Sequence, residues 1–295
     1  MSAHPANLVS PPRSRVTAEE LHEEVGEYFS LGLRIRPGDT ILDVGANIGA
    51  FAARVAATCD GDLRILAFEP SPETFEALTV NFERNALLRK TRHRLFHLGL
   101  SSTDDAGQTL RFYDFARFPT NSTFHLSEKR REFEIFFEDR GRRMSASIEK
   151  HLGPVLGRGM GGVVERVAAS LPKGSLGWWF ARQIMGLREH SVPVDTLAHV
   201  LSEERVDRID VLKIDVEGPE LEILGGLDEL TWAKVQQVVL ETHDRDGRLA
   251  KILALFRAHD LGEIQMASQK TTDNGLESLL VYARRPGLGA AKPLV

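Results

Sequence analysis

Cysteine is nearly absent. Cys59 is the only one in 295 residues, which excludes an internal disulfide framework and any zinc site built from several thiolates. A reducing, cytoplasmic setting is the expectation. Long apolar runs are missing too: no window of about 18 uninterrupted apolar residues occurs. The amino-terminal "MSAHPANLVSPPRSR" lacks the apolar centre of a signal peptide, so neither a membrane span nor secretion is expected. Positive charge is not in excess either. The formal net charge is -5, which disfavours a general affinity for nucleic acid.

What is present fits a soluble α/β chain, with 42% hydrophobic and 27% charged residues. Residues 1–15 carry three prolines and little periodicity and read as a loose tail. Thr17 with Glu20 three positions on predicts a capped helix. Four runs, "TILDV", "RILAFE", "VLKIDV" and "VVLETH", are apolar on both faces and end in polar or acidic residues, as buried parallel strands do. Helical patterns alternate with them. In "SPETFEALTVNFERN", Ser71 is placed to cap, Pro72 fits the first turn, and Phe75, Leu78 and Phe82 share one face. Strand alternating with helix predicts a doubly wound parallel sheet with its ligand beyond the carboxyl ends of the strands. The domain is read as two parts, 16–124 and 191–285, separated by a largely helical insertion, 125–190, that acts as a lid over the acceptor site. A second loose tail is expected at 286–295. The insertion holds twelve Lys and Arg against eight Asp and Glu.

"ILDVGANIGAF" brings Asp43, Gly45, Asn47 and Gly49 to the end of the first strand. The glycines let backbone pass close to a ligand, and the helix starting near Ala50 directs its positive end there. The pattern is D-x-G-x-N-x-G, and Asp43 beside the turn would repel a dinucleotide pyrophosphate while welcoming a cation. S-adenosylmethionine, with a sulfonium, an ammonium and a ribose diol but no phosphate, fits this demand. Glu69 ends the next strand 24 residues beyond Gly45, near the roughly 20-residue spacing of a ribose-binding acid.

Together with "AFEPSPETFEALTVNFERN", "HLGLSSTDDAG", "VPVDTLAHVL", "VLKIDVEGPELEILGG" and "VVLETHD", this stretch resembles the FkbM-type S-adenosylmethionine-dependent methyltransferases over residues 38–115 and 190–283. "KIDVEGPE" is the most specific block. The resemblance implies a class I methyltransferase fold, a seven-stranded sheet of order 3-2-1-4-5-7-6 with strand 7 antiparallel, and O-methylation as the usual chemistry. It also places Leu100 and Ser101 of "LGLSS" near the adenine. The insertion is longer than such enzymes commonly carry there.

Methyl transfer from a sulfonium is an in-line displacement, with the acceptor oxygen held about 3 Å from the methyl. A hydroxyl acceptor must also lose its proton to a base or a metal-activated site. Lys213, Asp215 and Glu217 in "KIDVEG", with Glu241, His243 and Asp244 in "ETHD", crowd two strand ends. His243 is the first choice of base, because an imidazole's ordinary pKa of about 6.5 suits proton removal near neutrality. Asp215 is read as orienting the acceptor or the donor's ammonium, Glu241 as a further catalytic acid, and Glu217 as bonding turn amides. Asp215, Glu241 and Asp244 also have the oxygens to bind Mg²⁺. His125, His190 and His199 have no partner spacing.

In the insertion, Trp178, Trp179 and Phe180 can wall an apolar pocket. Arg130, Arg131, Arg142 and Arg143 can attract an anionic carrier. The function expected is O-methylation of a small-molecule hydroxyl, free or carrier-bound, on a polyketide-like or glycosylated natural product. A saccharide O-methyltransferase and a nicotinamide-dependent oxidoreductase are the alternatives.

Overall fold

The computed structural model describes residues 8–139, 182–183, 185–269 and 278–287. In chain order the strands are β1 (Thr40–Val44), β2 (Arg64–Phe68), β3 (Arg92–Phe96), β4 (Gly99–Leu100), β5 (Thr109–Phe115), β6 (Leu187–Asp195), β7 (Val211–Ile214), β8 (Gln237–His243), β9 (Glu263–Gln269) and β10 (Ser278–Arg284). The helices are α1 (Ala18–Tyr28), α2 (Ala50–Thr58), α3 (Pro72–Arg84), α4 (Leu126–Asp139), α5 (Leu197–Glu203), α6 (Glu220–Gly225), α7 (Glu229–Lys234) and α8 (Arg248–Ala258).

Seven strands form one sheet in the order β3-β2-β1-β7-β8-β10-β9. Numbered within this sheet alone, that is 3-2-1-4-5-7-6, as expected. β10 runs antiparallel to both its neighbours. Because successive residues of a strand face opposite ways, each strand serves two cores. Ile41, Ile65 and Val211 meet α1, α2 and α3 on one face, while Leu42, Leu66 and Leu212 meet α5, α6, α7 and α8 on the other. This double burial is why the first strands read as unbroken apolar runs. Thr17 caps α1 with Glu20 as its reciprocal partner. Ser71 makes no such bond at α3; its hydroxyl donates instead to Asp114 Oδ1 at 3.2 Å. A second, three-stranded sheet has the order β4-β6-β5.

Residues 8–15, expected to be loose, are docked. Val9 N donates to Asn81 Oδ1 at 2.7 Å, and Asn81 Nδ2 donates to Val9 O and to Ile48 O at 2.9 and 2.8 Å. Leu8 is buried beside them. A side-chain amide, able to donate and accept at once, replaces the regular structure that the prolines deny this segment. Asn81→Ala is expected to cost about 1–2 kcal/mol and to open residues 8–15 to limited proteolysis; an unchanged digestion pattern would count against this anchor.

The expected insertion is also shorter at its carboxyl side. Residues 187–190 belong to β6, which pairs antiparallel with β5 in continuous register from Phe115↔Leu187 to Thr109↔Pro193. Polar residues alternate along this half-exposed strand, so it lacks the apolar run that announces a buried one. α4 is helical as expected. Trp178, Trp179, Phe180, Arg142 and Arg143 lie outside the described residues, as does the tail from 288 onward. Among the described residues, no helix is long and apolar enough to cross a membrane.

Candidate active site

The parallel strands β1, β2, β7 and β8 end along one edge, and a cleft opens over their carboxyl ends. After Val44 the chain turns through Gly45 into α2. The amides of Gly45 and Ala46 both donate to Phe68 O, at 3.1 and 3.0 Å, tying the turn to the end of β2. Gly45 has φ 72°, and a Cβ there would lie 1.9 Å from the Asp215 carbonyl oxygen. Only glycine fits this approach. Asn47 N donates to Glu69 Oε2 and Ser71 N to Glu69 Oε1, both at 2.9 Å. Glu69 therefore stands at the cleft wall, clamped by two amides, at the place the spacing predicted. Burial pushes its carboxyl up to about 7, outweighing the amides that favour the ionised form.

Leu100, Asp215, Glu241 and His243 also line the cleft. Asp43, Gly49, Ser101 and Asp244 do not, and each has a physical reason. Asp43 is fully buried beneath the cleft floor, opposite Lys213 in the β1–β7 register. Lys213 Nζ lies 3.1 Å from Asp43 Oδ1, although the carboxylate makes no regular hydrogen bond, so charge holds the pair. The same ammonium donates to Gly45 O at 2.6 Å and lies 3.4 Å from Asp215 Oδ2. Burial alone would lower the Lys213 pKa, but Asp43 and Asp215 hold it above the usual range. Asp43 thus answers an internal cation, where the sequence pointed to a bound one.

Gly49 has φ 87° and packs against α3, where a Cβ would meet Leu78 Cδ1 at 3.0 Å. The Ser101 hydroxyl donates to Asp105 Oδ2 at 2.6 Å and faces a hollow beside the cleft that Leu100 shares. Asp244 Oδ1 accepts from Leu249 N at 3.2 Å, at the start of α8. That turns it away from Asp215 and Glu241, so the three do not assemble as the Mg²⁺ ligands the sequence allowed. Among the described residues, no group of three or more His, Cys, Asp or Glu is arranged to hold a metal ion.

Three cleft residues went unnoticed in the sequence: Glu24 and Tyr28 on α1, and Lys129 on α4. Tyr28 is buried, with its Oη 2.8 Å from Asp215 Oδ2 and 3.2 Å from Glu241 Oε2. Glu241 Oε1 accepts from Ser278 Oγ at 2.6 Å. Glu24 faces the open cleft, yet the enclosing walls, with Asp215 and Glu217, push its carboxyl up to about 7. An acid one turn before a tyrosine, on the helix face that also holds Leu21 and Val25, was the available signal.

Lys129 Nζ is buried between Glu217 Oε2 at 2.9 Å and Glu132 Oε2 at 3.0 Å. Glu217 lies 3.9 Å from His243 Nε2, and its carbonyl accepts from Thr123 Oγ1 at 2.5 Å. Glu217 therefore bonds side chains rather than the turn amides expected of it. Arg130 and Arg131 are exposed on α4, and His125, His190 and His199 stand outside the cleft.

Chemically, the cleft is a surface rich in carboxylates, with one side-chain imidazole and two ammonium groups already paired to acids. It suits a cationic ligand. The sequence profile described as the methyltransferase FkbM domain matches residues 43–263. The chain is 32% identical over 262 residues to the 31-O-demethyl-FK506 methyltransferase FkbM of Streptomyces tacrolimicus, covering 88% of this chain and 85% of that one. It is 31% identical over 252 residues to the methyltransferase sdnD of Sordaria araneosa, covering 82% of each. Among solved structures, the METTL16 MTase domain aligns at a TM-score of 0.44 and 10% identity, over 94% of this chain and 72% of that one. The match to the profile over most of the sheet, with relatives of this length and identity, shows that the chain belongs to the FkbM methyltransferase family.

Proposed function

We propose that this protein is an S-adenosylmethionine-dependent O-methyltransferase acting on a hydroxyl of a small natural product. The observation that carries the reading is the Gly45 turn: a glycine forced by the Asp215 carbonyl, set beside Glu69 and the carboxylates of Asp215 and Glu217. A diphosphate would meet this acidic wall at a large electrostatic cost, whereas a sulfonium and an ammonium are attracted. A relative named for methylating 31-O-demethyl-FK506 supports an oxygen of a natural product as the acceptor.

The residues present fit the cofactor. Glu69 would hold the ribose diol, since each oxygen clamped by an amide keeps a further lone pair for a hydroxyl donor. The backbone from Gly45 to Asn47 would pass beside the nucleoside, Leu100 would cover the base, and Asp215 would hold the ammonium. Bound S-adenosylmethionine supplies an electrophilic methyl group.

The chain's own part is to bring an acceptor oxygen into line and remove its proton. His243 is the residue we assign to that proton, with Glu217 at 3.9 Å to neutralise the imidazolium that forms. The lid expected of the insertion lies largely outside the described residues, but α4, with which it begins, puts Lys129 in the cleft wall. The acceptor, free or carrier-bound, is the partner this reading calls for.

Calorimetry with S-adenosylhomocysteine and with NAD separates the cofactor classes. Binding of the homocysteine product is expected, and tight binding of NAD alone would overturn the assignment. His243→Ala should leave that affinity intact while lowering turnover on a hydroxyl acceptor about 10²-fold; unchanged turnover would remove His243 from the mechanism.

A further inference from the structure

The strongest unexplained feature is the single hydroxyl of Tyr28 set between two carboxylates. It has one proton to donate, yet oxygens of Asp215 and Glu241 lie 2.8 and 3.2 Å away. If both acids were ionised, one of these contacts would bring lone pair against lone pair inside a buried site. A proton must therefore lie between Tyr28 and one of them. We propose that Glu241 is the carboxyl that holds this proton, donating it to Tyr28 Oη while Tyr28 donates to an ionised Asp215, so that Tyr28 is a positioning residue deciding where the site keeps its negative charge. This deepens the reading above and rests on it only for the consequence in turnover.

The surroundings choose between the two acids. Asp215 has the Lys213 ammonium 3.4 Å from Oδ2, and its side chain reaches the open cleft. Glu241 has no ion pair among the described residues, and its other oxygen is occupied by the neutral Ser278 hydroxyl. The remaining charged groups press the same way. Glu24 on α1 and Glu217 beyond β7 add negative charge, and Glu217 is itself engaged by Lys129 and stands beside His243. Asp43 lies behind Lys213. Burial, with Asp215 close by, raises the Glu241 carboxyl well above the ordinary range, and burial with the same acids raises the Tyr28 phenol. The hydrogen-bond chain runs from Glu241 through Tyr28 to Asp215, which is ion-paired with Lys213. Glu241, the second catalytic acid of the sequence reading, becomes a neutral donor in this arrangement.

Isosteric amides test the assignment. Glu241→Gln replaces one neutral donor by another and should impair kcat/KM far less than the matching change at Asp215. Asp215→Asn removes the charge and should lower kcat/KM about 10²-fold. Tyr28→Phe should move the acid limb of the pH profile upward, with activity regained at higher pH, whereas a purely packing role would lower activity equally at every pH.

A second readout needs no turnover. A carboxyl whose proton is retained on folding destabilises the folded state progressively as pH rises above its unfolded value of 4.5. Glu241→Gln lacks this penalty, so its melting temperature should gain on the wild type by about 5 °C between pH 5 and pH 7. A melting difference independent of pH would overturn the proposal, as would a Glu241→Gln no less impaired than Asp215→Asn. If the wild type failed to bind S-adenosylhomocysteine, the functional reading would fall, and the melting series would still decide where the proton lies.

Discussion

Gly45→Ala should yield a protein that melts far below the wild type and no longer binds S-adenosylhomocysteine. β1 and β7 run side by side, with Val44 opposite Ile214, and Asp215 N donates to Val44 O at 3.1 Å. The chain leaving β7 therefore crosses directly over Gly45, and an added Cβ would stand 1.9 Å from a backbone oxygen that no rotamer can move. Left-handed backbone costs a non-glycine residue about 1–2 kcal/mol, and forcing apart two packed strand ends adds about 1–3 kcal/mol. Gly49→Ala is the control. It has a similar φ of 87°, but its obstacle is the tip of Leu78, which can turn aside. Thermal melting and calorimetry of both variants check the comparison, and equal losses would show that the Asp215 carbonyl is not the obstacle.

Lys213→Met is expected to destabilise the fold by about 3–5 kcal/mol, the loss that follows when one partner of a buried ion pair is removed. Lys213 and Asp43 have side-chain exposures of 3% and 0%, so the orphaned acid has no water to turn to. The variant also loses the bond to Gly45 O, which holds the turn against β7. Adding Asp43→Asn should recover more than half of the loss, because a neutral amide tolerates burial far better than an unpaired carboxylate. Urea denaturation of the single and double variants measures this. A double variant no more stable than Lys213→Met would place the damage elsewhere.

The parts of the fold that announce themselves in the sequence are those with one environment on both sides. β1, β2, β7 and β8 are covered by helices on each face, and their apolar runs say so. β3, at the sheet edge, reads "RHRLF" and shows no such run. The α1 cap was readable from Thr17 and Glu20 because it is local. The Gly45 turn and Glu69 were readable for a similar reason: spacing along the chain fixes which strand end a residue occupies.

Depth is another matter. Nothing in "TILDV" tells that Asp43 points beneath the floor toward Lys213, since that depends on the register of two strands far apart in the chain. Tyr28 and Glu24 were hidden because α1 precedes the region that carries the family pattern and reaches the cleft through tertiary packing, on α2 above all. The Mg²⁺ reading failed on a local competitor, the Leu249 amide, which claims Asp244.

The pairing of Phe115 with Leu187 means that the segment between them departs from the frame and rejoins it at a single point. Chain closure of that kind grows costlier only slowly, by about 0.6 kcal/mol for each doubling of length. The looped-out chain still touches the cleft, because Thr123 and Lys129 within it both hold Glu217 beyond β7. Any exchange made at these two residues would therefore also release the clamp on Glu217, and the graft would have to supply a hydroxyl and an ammonium in their place.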